Sequence, residues 1–228
     1  MSNTLYVGNK NYSSWSLRPW LCLRWAGIPF EEREIQLAQP GYGMHAIAEV
    51  LRVAPNGRVP ALHTGGLVVW DSLAIAEWAA EEAPAAQLWP ADRRLRAEAR
   101  AVVAEMHSGF ANVRRDMSMN IRRRVEVPAW PPETRAELQR IETIWGGLRT
   151  RFADRGPWLF GARTIADAFY APVATRVRTY GVKFSRAASS YCDAVFADAD
   201  FQAWEAACVA DSWDAHGFSV IDGMYAKP

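Results

Sequence analysis

The stretch Asn11-Tyr-Ser-Ser-Trp-Ser-Leu-Arg-Pro-Trp20 sets three serine hydroxyls, a phenol and a guanidinium between a short apolar run and a helix-like pattern. Hydroxyls at such a junction have two uses. They accept hydrogen bonds from the free N–H groups of the helix, or one of them donates to an anion drawn to the positive end of the helix. The pair Asp71-Ser72 stands before another helical pattern and offers the same combination. Between the two lies Asn56-Gly-Arg-Val-Pro60, where the cis form of the Val-Pro bond is accessible because proline removes most of its cost. Thr164 and Asp167 have the spacing of a capping box, with Asp in place of the usual Glu or Gln. Other chemistry is sparse. His45, His63, His107 and His216 show no metal-ligating spacing, so no metal is expected. The glycines of a phosphate loop or of GxGxxG are missing, so no nucleotide cofactor is expected. Cys22, Cys192 and Cys208 are odd in number and form no CxxC pair, which reads as reduced structural thiols.

The composition bounds the class of protein. A chain of 228 residues with 50% hydrophobic and 22% charged residues can bury a sizeable core. A net charge of +1 gives no global field for nucleic acid. No apolar run reaches the roughly 18–20 residues that a membrane span requires. The opening MSNTLYVGNK lacks the basic-then-apolar layout of a secretory signal, so the cytoplasm is the expected location. Eleven tryptophans are unusual, and their rings suit either core packing or a pocket with a polar rim.

These residues need elements to position them. Residues 4–8 read as a strand, and residues 14–26 as a helix with one mostly buried side, closed by Gly27 and Pro29. A weak strand pattern follows at 30–35, then a short helix ended by Pro55. Two apolar runs split by Thr64-Gly65-Gly66 predict a hairpin, and another helix starts near Ser72, capped by Ser72 or Asp71. That order implies a βαβ crossover plus an antiparallel piece, which is a small mixed sheet flanked by helices. A proline-containing segment at 83–91 reads as a linker. From Asp92 the pattern is helical: a long stretch to Arg124 bent near Ser108-Gly109, a helix from Pro132, one near 164–180, and one from about Phe201 to Ser212. The expected domains are 1–82, a small α/β unit, and 92–228, all helical.

The layout resembles the cytosolic glutathione transferase family, and the likeness covers nearly the whole chain. It rests on SSWSLRPW, NGRVPAL, WDSLAI and RTIADAFYAPV. The resemblance implies an α/β thioredoxin-like N-terminal domain followed by an all-α C-terminal domain, with glutathione as co-substrate. It implies that Val59, before a cis Pro60, meets the cysteinyl part of glutathione through its backbone. Ser72 would bind the γ-glutamyl carboxylate and Asp71 would face the ammonium. Arg58 lies close to the expected glycyl end. Thr164 and Asp167 would cap a buried helix and act structurally. The opening segment is similar to the zeta-class pattern Ser-Ser-Cys-x-x-Arg: Ser13 and Ser14 match the serine pair, Arg18 the arginine, and Trp15 replaces the cysteine. The hydroxyl that favours the glutathione thiolate would come from Ser14, nearer the helix N-terminus, or from Ser13. Tyr12 comes third, and Ser16, within the first turn, last.

The resemblance further implies an electrophile pocket between the domains, lined by the first helical hairpin of the second. Trp15, Met106, His107, Phe110, Met117 and Asn120 are placed there, around a small hydrophobic electrophile. Arg114, Arg115, Arg122, Arg123 and Arg124 read as a solvated face, or as containing one arginine that attracts an anion. Neither nucleic acid nor membrane is an expected partner, and the family implies a homodimer. Two alternatives stand beside conjugation. One is a zeta-like maleylacetoacetate isomerase, which the serine pair and Arg18 favour and Trp15 opposes. The other is a non-catalytic glutathione-binding or scaffold member of the fold.

Overall fold

A computed structural model describes residues 2–125 and 129–210 of the chain. The sheet comprises β1 (Thr4–Gly8), β2 (Glu31–Ile35), β3 (Ala61–Thr64) and β4 (Leu67–Val69), in the order β2-β1-β3-β4. β1 and β2 run parallel, with Thr4 opposite Glu31. β3 is antiparallel to both β1 and β4. Three helices belong to this layer: α1 (Ser14–Trp25), α2 (Ala48–Val53) and α3 (Ser72–Glu82). The period of two along β1 buries Leu5 and Val7 in the main core with α1 and α3. Tyr6, with Ile35, Val50 and Ala61, belongs to a second cluster beneath α2.

α1 ends as its sequence predicts. Gly27 has φ of 66°, its N–H donates to the Arg24 carbonyl (3.0 Å), and the Ile28 N–H donates to the Leu23 carbonyl (3.0 Å). This is the paired bonding of a Schellman motif. Asp71, not Ser72, caps α3: its Oδ1 accepts from the N–H groups of Leu73 (2.9 Å) and Ala74 (3.4 Å).

The helical domain comprises α4 (Arg93–Ser108), α5 (Ala111–Asp116), α6 (Pro132–Phe152), α7 (Ile165–Thr179), α8 (Arg186–Ala197) and α9 (Ala199–Ala210). α7 is buried almost all round and forms the centre of the domain. The capping box forms: Asp167 Oδ2 accepts from the Thr164 N–H (2.8 Å) and hydroxyl (3.1 Å), and Oδ1 from the Leu159 N–H (3.0 Å). Burial pushes the Asp167 carboxyl up to about 7, against those three donors.

Three details differ from the sequence reading. The long helical stretch does not merely bend near Ser108-Gly109 as expected but breaks there into α4 and α5, and residues 117–125 are not helical. Gly109 is extended and Phe110 sits at φ of 58°, which breaks the ladder. The sequence reading assigns no helix at α8, although its buried residues Ala188, Tyr191, Cys192 and Val195 recur at i, i+3, i+4 and i+7. The segment 83–91 is packed down. Leu88 and Trp89 are buried, Trp89 donates to Glu77 (2.9 Å), and the Leu88 carbonyl accepts from Ile165 N–H (2.9 Å). Of the other sequence readings, Ser212, His216 and the end of the second domain lie outside the described residues.

The two domains share one main core. Trp204 of α9 is fully buried, stacks edge-on against Trp20 (5.3 Å), and donates to the Lys10 carbonyl (3.0 Å). Among the described residues, no helix is long and apolar enough to cross a membrane.

Candidate functional site

The junction between β1 and α1 is built from short-range bonds. The Asn9 carbonyl accepts from the N–H groups of Tyr12 (3.0 Å) and Ser13 (2.8 Å), and Asn9 Oδ1 accepts from Leu37 N–H (2.8 Å). Ser16 Oγ accepts from Gly8 N–H (3.0 Å) and shares a hydrogen with Ser13 Oγ (2.7 Å). Ser16 therefore ties the strand end to the helix. Ser13 stands at the N-cap position but makes no side-chain cap bond. Ser14 is the first residue of α1, is 6% exposed, and its hydroxyl bonds to no other described residue. Both serines, with Tyr12 and Trp15, line a cavity of about 940 Å³ between the two domains. A space of that size accommodates a small-molecule ligand.

The sheet side of the cavity is formed by the turn before β3 and the turn before α3. The Val59–Pro60 bond is cis, as the sequence suggested, and so is Trp70–Asp71. Gly57 adopts φ of 65°, and a Cβ there would lie 2.3 Å from the His45 carbonyl oxygen. No larger residue fits that turn without displacing the backbone. Val59, Pro60, Asp71 and Ser72 line the cavity, as does Arg58, which is exposed and lies 3.5 Å from His45 Nδ1. Ser72 Oγ is fully buried and has no hydrogen-bond partner. It sits at the first turn of α3, where free N–H groups and the helix dipole favour an anion.

The helical side differs from the sequence reading. Trp15 and His107 line the cavity. Met106, Phe110, Met117 and Asn120 are buried and do not line it. The apolar three belong to the main core, Met106 on the inward face of α4 and Phe110 and Met117 in the turns that flank α5. Asn120 instead ties the domains together: its Oδ1 accepts from Asn11 Nδ2 (3.0 Å), next to the serine turn. In their place the wall carries Arg114, Ser118, Met119 and Arg176. Arg114 was visible in the sequence only as part of a basic run. Arg176 lies in an apolar helix, and its polarity within that pattern was the available signal.

Three guanidinium groups gather here. Arg18 is fully buried, lies 4.2 Å from the Trp15 ring and 5.0 Å from the Phe169 ring, and none of its nitrogens has a hydrogen-bond partner. Burial holds its pKa well below the ordinary range, and Arg114 and Arg176 add to that effect. Arg176 is held by the carbonyls of Met117 (2.7 Å) and Pro172 (3.0 Å), and burial brings it down to about 9. Arg114 donates to the carbonyls of Gly109 and Met106. The hydrogen bonds of Arg114 and Arg176 go to carbonyl oxygens, which satisfy N–H groups without cancelling charge.

The architecture and the two halves of the cavity can be set beside known proteins. Residues 12–82 match the family model of the glutathione S-transferase N-terminal domain, and residues 131–207 match that of the C-terminal domain. The chain belongs to the glutathione S-transferase family. A maleylacetoacetate isomerase of Rattus norvegicus is 34% identical over 106 residues, covering 46% of this chain and 48% of that protein. Glutathione S-transferase 1 of Dianthus caryophyllus is 34% identical over 93 residues, covering 41% of this chain and 40% of that one. These matches span less than half the length of either relative. A Burkholderia glutathione transferase homolog, solved with bound glutathione, superposes with a TM-score of 0.72 at 23% identity, covering 92% of this chain and all of that one. A zeta-class maleyl pyruvate isomerase gives 0.66 at 22% identity, over 92% and 98% of the two chains. At such identities the likeness to both solved structures is one of fold.

Proposed function

We propose that the chain is a glutathione transferase that holds glutathione along the sheet side of the cavity and activates its thiol at the start of α1. The observation that carries this reading is the Ser14 hydroxyl. It lines the cavity, is nearly buried, opens a helix, and bonds to no described side chain. A thiol with an ordinary pKa near 8.5 is mostly protonated at neutral pH. An O–H donor and the positive end of a helix both stabilise the thiolate and so lower that pKa. Ser13 is the weaker candidate because its Oγ is engaged with Ser16. The Val59 backbone would pair with the cysteinyl part, Ser72 would donate to the γ-glutamyl carboxylate, and Asp71 would attract its ammonium. Arg58 would lie toward the glycyl carboxylate. The thiolate then attacks the electrophile directly, and the enzyme contributes positioning and charge stabilisation. The solved homolog with bound glutathione supports the ligand. A homodimer in the cytoplasm belongs to the same reading, by family membership.

The test is a conjugation assay with an uncharged electrophile. Ser14→Ala is expected to lower kcat/KM by about 10²-fold while glutathione still binds, since an aligned donor to a developing or bound anion is worth about that much. Full activity in Ser14→Ala and Ser13→Ala alike would remove the serine mechanism.

The arginines favour a second reading, in which the electrophile is anionic and glutathione is regenerated, as in an isomerase of maleylacetoacetate. Arg114 and Arg176 line the helical side of the cavity and bond to carbonyl oxygens, while Arg18 lies buried against the Trp15 ring. A carboxylate there would form charge-assisted bonds that an apolar molecule cannot form. The isomerase relatives in rat and mouse point the same way. Incubation with maleylacetoacetate and a trace of glutathione separates the two: isomerisation leaves glutathione unchanged, whereas conjugation consumes it.

A further inference from the structure

His107 comes from the last turn of α4, in the helical domain, yet its Nε2 lies 3.0 Å from Asp71 Oδ2, at the start of α3 in the sheet domain. We propose that His107 is a positioning residue for glutathione: it orients the Asp71 carboxylate toward the γ-glutamyl ammonium while leaving its negative charge intact. The proposal rests on the reading that the γ-glutamyl end of glutathione lies at Asp71 and Ser72.

Asp71 has two carboxylate oxygens with two fixed duties. Oδ1 caps α3 through the N–H groups of Leu73 and Ala74. Oδ2 takes His107. Together these bonds fix the carboxylate plane, although the side chain is 45% exposed and would otherwise rotate. The charge left on it depends on whether the imidazole is neutral. A cationic partner would neutralise Asp71 and compete with the ammonium, whereas a neutral N–H donor orients it and leaves its charge available.

The surroundings select the neutral form. His107 Nδ1 is buried without a hydrogen-bond partner, so a proton there would be an unpaired buried N–H. The ring lies 5.4 Å from Trp15 and 6.0 Å from Phe169, between α1 and α7. The charged groups facing it are Asp71 at the start of α3, Arg18 on α1 and Arg114 on α5. Burial and the two guanidinium groups lower the imidazole pKa, against Asp71, which raises it. A helix C-terminus ordinarily favours His⁺, so the neutral state here is imposed by the packing. His107 thus belongs to the glutathione half of the cavity, although it comes from the domain that holds the second substrate.

The test is calorimetric binding of glutathione and of its analogue lacking the γ-glutamyl amino group. His107→Phe is expected to weaken glutathione by about tenfold, as loss of an orienting bond to a charged group would, and to leave the deaminated analogue nearly unchanged. His107→Gln, which keeps a neutral N–H donor, is expected to restore the preference for glutathione. The unsubstituted protein should also bind glutathione more weakly as pH falls below the ordinary histidine range, a limb that His107→Gln should lack. Equal weakening of both ligands in His107→Phe, or no weakening of either, would overturn the proposal and leave the glutathione reading standing. Failure of the unsubstituted protein to bind glutathione would overturn both.

Discussion

Ser72 is a hydroxyl the folded chain leaves unsatisfied. Its Oγ is buried, lines the cavity and has no partner, so the free protein bears a desolvation cost that a ligand anion can relieve. Ser72→Ala should therefore leave thermal stability unchanged or slightly raised, while weakening glutathione by about tenfold. Thermal unfolding and calorimetric titration on the same sample check the two signs together. A loss of stability equal to the loss of binding would make Ser72 a structural hydroxyl. At this scale the sequence was informative where a motif carries its own geometry. Ser13, Ser14, Val59, Pro60, Asp71 and Ser72 all reach the cavity because caps and X-Pro turns are local devices. Met106, Phe110, Met117 and Asn120 do not, because which side of α4 and of the turns around α5 faces inward depends on what packs against it, which no local pattern specifies.

α7 shows how an element can depend on one carboxylate. Asp167 satisfies two backbone N–H groups and a hydroxyl, all buried. Asp167→Ala removes the cap and orphans those donors, and should cost about 2–4 kcal/mol in denaturant unfolding. The pH dependence has a definite sign. Burial raises the folded carboxyl to about 7, above its ordinary value, so the folded state holds the protonated form more readily. Its contribution is present in full at low pH and is lost as pH rises through about 7. Between about pH 6 and pH 8 the protein should lose about 1 kcal/mol of stability that Asp167→Asn does not lose. Most elements were legible because their periods and stop signals agree, as at Gly27 and the Thr164 cap. The break between α4 and α5 falls at the bend expected near Ser108-Gly109, but its full depth was not legible. Phe110 in a left-handed conformation is a state that its side chain does not advertise.

The whole molecule is held across its domain boundary by aromatic packing as well as by covalent connection. Trp204 fills the space beside Trp20 and bonds to the Lys10 carbonyl. Asn120 bonds to Asn11. These contacts come from residues far apart in sequence and meet next to the serine turn, so the position of the turn depends on the second domain. Trp204→Ala should cost about 3–5 kcal/mol. Unfolding of the unsubstituted protein should give coincident near- and far-ultraviolet dichroism transitions, as a shared core requires. Two separated transitions would show the domains to be independent. The sequence displayed the eleven tryptophans but not their partners, since long-range pairing has no local signature.

The central claim is that a serine hydroxyl at the head of α1 stabilises the thiolate of bound glutathione. Titration of the thiolate absorbance of the glutathione complex tests it without reference to any electrophile. The complex of the unsubstituted protein should show a thiol pKa at least about one unit below the free value near 8.5. Ser14→Ala should return it toward that value, and Ser13→Ala should move it less. A bound thiol that titrates as free glutathione does, or the same lowered pKa in both serine variants, would contradict the account.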